Sequence, residues 1–353
     1  MDIVILLGSF VIILAGAELF TNGIEWFGRK LNLAQGAVGS VLAAVGTALP
    51  ETMIPLIAIG FGGGGQATDD VGIGAILGAP FMLSTLAMFV TGVGVVFWRK
   101  RRLTGTRMVV DTVVLVHDIR TFVIAYALAI ATAFLPPDLG FLRIVVAVIL
   151  VGIYAWYVKG HFDAEADDHE DELAPLRFHK VDRGGHATDP GTPRLRVVSL
   201  QVLFALGCII GGAYLFVGAV ERVAAAVGIS ELLLALVIAP IATELPEKFN
   251  SLIWVRQGKD TLAMGNITGA MVFQSAIPTV VALVLAGPSW HINGDSMIAF
   301  LSAGIAFLAV AAVFGPMWRR ARLDGRSLLV GGVLYLLYLG VVLLALAGVI
   351  SFG

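Results

Sequence analysis

Along the chain, long apolar runs alternate with short polar breaks from one end to the other. Breaks marked by charge, glycine or proline divide it into about ten apolar segments, at 3–27, 34–60, 71–98, 107–135, 141–158, 198–227, 229–256, 262–287, 296–316 and 326–351. Each is long enough to supply the roughly 20 residues, with a range of about 17–25, that a helix needs to cross a bilayer. Leu, Ala, Val and Gly dominate with no period of two, so the segments are predicted as helices and not as barrel strands. One long polar stretch, residues 159–197, separates the fifth segment from the sixth.

Composition identifies the solvent these helices face. Hydrophobic residues make up 58% of the 353 and charged residues 14%, against about 25% charged in soluble domains. Mean hydropathy is +0.92. A soluble globule needs a polar skin that this chain cannot supply, so the expected class is an all-α integral membrane protein embedded in lipid. The net charge of -2 offers no basic surface for nucleic acid. Cys208 is the single cysteine, so no intrachain disulfide is available. The opening MDIVILLGSF has no basic leader, and the first segment is expected to be a retained span.

Lys and Arg set the orientation. With the N-terminus outside, the inward loops collect 19 of the 23 cations. Outward loops then hold only Arg143 and Arg222, while Arg120 and Lys248 fall within spans. The positive-inside rule selects both termini outside and the 159–197 loop in the cytoplasm of a plasma-membrane protein. That loop carries an acidic cluster from Asp163 to Glu172 and four of the six histidines. A metal-sensing role is open to it, but its Pro/Gly/Asp composition favours a solvated, largely disordered linker.

The chain repeats itself. GAELFTNGIE (16–25) matches GAYLFVGAVE (212–221), and VLAAVGTALPE (41–51) matches VIAPIATELPE (237–247), both at an offset of 196. Similarity resumes with GAILGAPF (74–81) against GNITGAMVF (265–273). Each half then holds five spans, and an odd number forces the second half to enter the membrane from the opposite side. Two inverted five-helix repeats are predicted, with a site near the midplane where they meet.

The chemistry concentrates in the matching segments. Glu51 and Glu247 stand at equivalent positions in otherwise apolar spans, and buried carboxylates there are costly unless they serve a polar cavity. Each follows a proline, Pro50 or Pro246, which frees the carbonyl four residues earlier, at Gly46 or Ala242. The prediction is a broken helix in each repeat, offering carbonyl oxygens, those of Thr47 and Thr243 included, beside a carboxylate. Hard cations such as Ca2+ bind such oxygens.

With these motifs, GTALPE (46–51) with GAILGAPF and ATELPE (242–247) with GNITGAMVF, the sequence resembles the Na+/Ca2+ exchanger type of the calcium:cation antiporter superfamily. The likeness covers essentially the whole chain. It implies a first repeat at 1–158 with its motif at 41–83, a linker at 159–197, and a second repeat at 198–353 with its motif at 237–278. It also implies secondary active antiport, Ca2+ leaving in exchange for Na+ by alternating access as the first and sixth spans slide. The implied Ca2+ ligands are Glu51, Glu247, Thr47 and Thr243. No resident cofactor is implied, the partners are inorganic cations and the lipid bilayer, and the oligomeric state is left open, a monomer being compatible with the pattern.

Departures from the family pattern bear on the counter-ion. The usual serine of G-T-S-L-P-E is Ala48 in one repeat and Glu244 in the other, and the glycine-serine-asparagine segments read Gly78-Ala79-Pro80 and Gly269-Ala270-Met271. The polar ligand that follows falls at Leu83 and Gln274. Hydroxyls that would hold Na+ are therefore missing, which opens H+ coupling as an alternative, with a transport-dead scaffold or sensor as a second. Glu244, three residues before Glu247, either joins the cation site as a titrating group or pairs with Lys248 at i+4. Elsewhere, Glu18 and Asn22 are candidates for an access path. Asp111, His117, Asp118 and Arg120 are expected to form a structural cluster in which Asp118 and Arg120 neutralise each other. A channel would need a continuous polar pore, and an intramembrane hydrolase would need a nucleophile–base pattern that is absent.

Overall fold

The computed structural model describes residues 2–30, 50–62, 65–164, 174–181, 193–294, 296–320, 322–347 and 349. Within them lie ten helices: α1 (Asp2–Lys30), α2 (Pro50–Phe61), α3 (Gln66–Trp98), α4 (Thr112–Phe134), α5 (Phe141–Ala164), α6 (Leu195–Val227), α7 (Glu231–Gln257), α8 (Asp260–Leu285), α9 (Met297–Arg320) and α10 (Gly325–Leu346). They follow the ten predicted segments. Residues 31–49, the start of the second segment with Gly46 and Thr47, lie outside the described residues. Eight of the helices are long and apolar enough to cross a membrane. α2 is described from Pro50 onward, and the side chains of α7 are described without a gap over its apolar start, Glu231–Ile241.

Repeat-equivalent helices pack on one another's partners. α1 lies along α6, α4 and α5 lie on α8, and α9 and α10 lie on α3. The α1–α6 contact shows the relation at atomic scale. A Cβ on Gly16 would stand 3.1 Å from the Ala205 carbonyl and 2.9 Å from Ile209, and one on Gly212 would stand 3.2 Å from the Ser9 carbonyl and 2.7 Å from Ile13. Adding the offset of 196 to Ser9, Ile13 and Gly16 gives Ala205, Ile209 and Gly212, so the contact maps onto itself when the two helices are exchanged. Small residues allow this backbone approach, which is how helices associate where lipid removes the hydrophobic incentive.

α3 is buried along nearly its whole length, and α5 presents Val145, Val148, Ile149 and Trp156 outward. That outward apolar surface suits lipid. The loop after α3 is fixed by a buried ion pair. Arg102 Nη2 lies 2.6 Å from Asp260 Oδ2 and Nη1 lies 2.8 Å from Oδ1, with the side chains 2% and 1% exposed. Asp260 also accepts from Val109 N at 2.8 Å. A two-residue antiparallel pairing of Arg107–Met108 with Leu323–Asp324 ties the same loop to the start of α10.

The linker expectation needs correction over 174–181. Residues Arg177–Val181 form a 3-10 turn, and Leu176 is buried with Trp26 and Val198. Trp26 Nε1 donates to the Ala174 carbonyl at 2.9 Å, Arg177 N donates to Asn22 Oδ1 at 3.0 Å, and Phe178 N donates to Gln201 Oε1 at 2.9 Å. Glu18 Oε1 meets Arg177 Nη2 at 2.7 Å, both side chains being more than half exposed. Glu18 and Asn22 thus anchor the loop. Composition missed this because three apolar side chains and a few backbone groups are enough to dock a short segment. The acidic cluster lies largely outside the described residues.

Candidate cation site

α7 reaches the centre of the bundle by resting on α3. A Cβ on Gly78 would overlap the Leu236 carbonyl, so only glycine permits this approach. The contact carries the α7 motif into the protein interior, where Thr243 and Glu244 are 3% and 1% exposed. The Thr243 hydroxyl donates to the Ala239 carbonyl at 3.1 Å. Its hydrogen is used within the helix, while its oxygen lone pairs remain available.

Glu244 meets α8. Gln274, 3% exposed, donates Nε2 to Glu244 Oε1 at 2.9 Å. A buried carboxyl is costly unless hydrogen-bonded, and the amide supplies a bond across the helix interface. Glu51 is buried in the first turn of the described part of α2, at 7% exposure. Of the predicted set, then, the structure joins Glu244 to Gln274 and buries Glu51 and Thr243. Thr47 and Gly46 lie outside the described residues, as do the side chains of Glu247, Pro246, Lys248 and Ala242. Among the described residues, no three His, Cys, Asp or Glu side chains form a metal-holding group.

The backbone differs from the predicted break in the second repeat. α7 runs unbroken from Glu231 to Gln257 through Pro240 and Pro246. Membrane helices tolerate proline because neighbouring groups satisfy the freed carbonyl. Irregularity appears instead as π-helical stretches at Leu56–Phe61 and Leu83–Ala87. The latter begins at Leu83, a position the resemblance makes equivalent to a ligand, and π-bulges recur at functional positions.

Sequence reasoning also missed a hydroxyl pair. Ser84 and Ser275 are related by the offset of 191 that aligns Gly78 with Gly269, and they are 1% and 0% exposed. Ser84 Oγ donates to the Phe81 carbonyl at 3.1 Å and Ser275 Oγ to the Val272 carbonyl at 2.9 Å. Both leave oxygen lone pairs free. The signal was available in register, one residue past Leu83 and Gln274.

The span-4 cluster is corrected in its partners. Asp111 caps α4, accepting from Val113 N at 2.9 Å and Val114 N at 3.2 Å. Asp118, 1% exposed, accepts from Tyr157 Oη at 2.9 Å and from Thr268 Oγ1 at 2.5 Å. Arg120 is exposed. Residues two apart face opposite sides of a helix, so hydroxyls from α5 and α8 hold Asp118. His117 stacks on Tyr157 with ring centroids 5.7 Å apart.

Comparison with known proteins adds the lineage. Residues 1–160 and 198–347 match the family described as sodium/calcium exchanger protein. The putative antiporter CaxA of Alkalimonas amylolytica is 25% identical over 340 residues, 95% of this chain and 98% of that protein. Among solved structures, the H+/Ca2+ exchanger CAX aligns with a TM-score of 0.68 at 19% identity, covering 97% of this chain and 82% of that one. The sodium-calcium exchanger NCX_Mj aligns at 0.53 and 15% identity, covering 96% and 97%. At such identities the two structures speak for the fold alone. The chain is a multi-pass membrane protein of the sodium/calcium exchanger family, and so a cation/Ca2+ antiporter and not an enzyme.

Proposed function

We propose that this protein exports Ca2+ across the plasma membrane by alternating access, with the ion held between Glu51 and Glu247 and by backbone oxygens of Thr47 and Thr243. In this reading the two repeats, 1–158 and 198–353, supply equivalent halves of the site. Both termini lie outside and the 159–197 segment lies in the cytoplasm. Burial of Glu51 in the first turn of α2 supports the ligand set, because an acidic side chain inside an apolar bundle is costly and marks an ion path.

The coupling ion we favour is H+, and the Glu244–Gln274 contact carries that choice. An amide can donate to an ionised carboxylate or, turned over, accept from a protonated one. Gln274 thus accommodates Glu244 in both states, and Ca2+ arrival beside Glu244 would release the proton. Na+ coupling is the second reading, supported by Ser84 and Ser275, whose free lone pairs are neutral oxygens of the kind Na+ accepts. Proteoliposomes loaded with Ca2+ separate the two. Flux driven by a pH gradient without Na+ supports the first reading, flux driven only by a Na+ gradient establishes the second, and no counterflow under either gradient leaves the scaffold or sensor reading.

A further inference from the structure

Away from the cation site, a cavity of about 740 Å3 opens where the end of α4 and the start of α5 meet the end of α8 and the loop beyond it. Its walls are apolar, with Leu135, Ile144, Leu283 and Ile292 among them, and Arg143 and His291 are the ionisable groups. Arg143 belongs to the first turn of α5 and is 7% exposed. Its Nε is buried with no hydrogen-bond partner, and the guanidinium forms no ion pair among the described residues. The other cation that charge counting places on this side, Arg222, is neutralised by Asp2 at 2.7 Å.

A guanidinium always carries its charge, and burying one without a counter-charge costs several kcal/mol. Among the described residues, the acidic groups of the flanking segments do not supply one. Asp138 is exposed, and Asp69 accepts from Ser289 Oγ at 2.8 Å. His291 is engaged with its own loop, through the Pro288 carbonyl at 2.7 Å and Asn293 Nδ2 at 3.3 Å. Around the cavity, Phe134, Phe141, Val284 and Leu285 stand outward at 71%, 62%, 48% and 50% exposure. The surroundings are thus greasy, and the charge left without a counter-charge among the described residues is a planar donor that matches phosphate.

We infer that this cavity is a binding site for an anionic phospholipid, with Arg143 donating to the phosphate and the apolar walls taking the start of the acyl chains. A zwitterionic lipid brings its own ammonium to its phosphate, so the uncompensated guanidinium selects a lipid of net negative charge. None of the proposed Ca2+ ligands is among the residues that line it, and the inference does not depend on how transport is coupled.

The test uses the full-length protein, delipidated in detergent. Its thermal unfolding is followed with added phosphatidylglycerol, with phosphatidylcholine and with inorganic phosphate, and native mass spectrometry counts retained lipid. Phosphatidylglycerol should raise the unfolding midpoint and stay bound. Arg143→Gln should weaken that binding about tenfold, the value of one charge-assisted contact. Because that variant removes a buried group, Val284→Trp provides a second route by obstructing the cavity while keeping the charge, and it should also lose the bound lipid. Equal stabilisation by inorganic phosphate would make this a site for a free anion and overturn the lipid assignment. Equal retention of both lipids, or unchanged retention in Val284→Trp, would likewise overturn it.

Discussion

Gly16 and Gly212 occupy equivalent places in one self-complementary contact: each rests on the residues of the opposite helix that correspond to those its counterpart rests on. A pseudo-two-fold axis therefore passes between α1 and α6. Val at either position would force side-chain atoms into Ile209 or Ile13 and onto a backbone carbonyl, costing about 1–3 kcal/mol by overpacking. We expect Gly16→Val and Gly212→Val to lower the unfolding midpoint by similar amounts. A large effect at one position and none at the other would refute the symmetry of the contact.

Charge balance tests the proposed Ca2+ ligands. Removing one carboxylate leaves a dehydrated divalent ion undercompensated, so Glu51→Gln and Glu247→Gln should each abolish Ca2+ exchange while the protein still inserts and folds. Calorimetric titration of both variants checks this. Normal Ca2+ binding in either would remove that residue from the site.

Glu244→Ser substitutes the family's usual hydroxyl and removes the buried carboxyl that Gln274 holds. Exchange should then depend less on pH than in the parent protein, as read from initial Ca2+ uptake rates across a pH series. An unaltered pH profile with Na+-driven flux intact would assign Glu244 a structural role and favour Ser84 and Ser275 as Na+ ligands.

The Arg102–Asp260 pair gives a stability prediction of a different kind. Both groups are buried, so taking one away strands the other. Asp260→Ala should destabilise by about 3–5 kcal/mol, and replacing both with hydrophobic residues should restore much of that loss. Thermal melts of the single and double variants decide it.

For the 159–197 segment, deleting residues 182–189 should leave transport intact, since no proposed ligand lies there. Deleting 174–181 should instead expose Trp26 and Val198 and remove the backbone N–H groups that Asn22 and Gln201 accept from. We expect lower stability in that variant. Identical melting curves for the two deletions would return the whole segment to the status of a spacer.

The sequence alone determined the membrane class, the ten helices and the repeat, because hydropathy and register are properties of consecutive residues and survive any packing. It also singled out Glu51 and Glu244, since an acid within an apolar run is conspicuous in the order of residues itself. Tertiary structure decided what those groups touch. Glu244 meets Gln274 because Gly78 lets α7 approach α3 while α8 packs beside them, and nothing local to Glu244 announces a partner 30 residues away. Closeness in the chain pairs Asp118 with Arg120, yet helical geometry turns Asp118 toward Tyr157 and Thr268 on two other helices. The docked 174–181 segment and the buried Arg143 were equally invisible, because burial is conferred by neighbours distant in sequence and cannot be read from composition or charge.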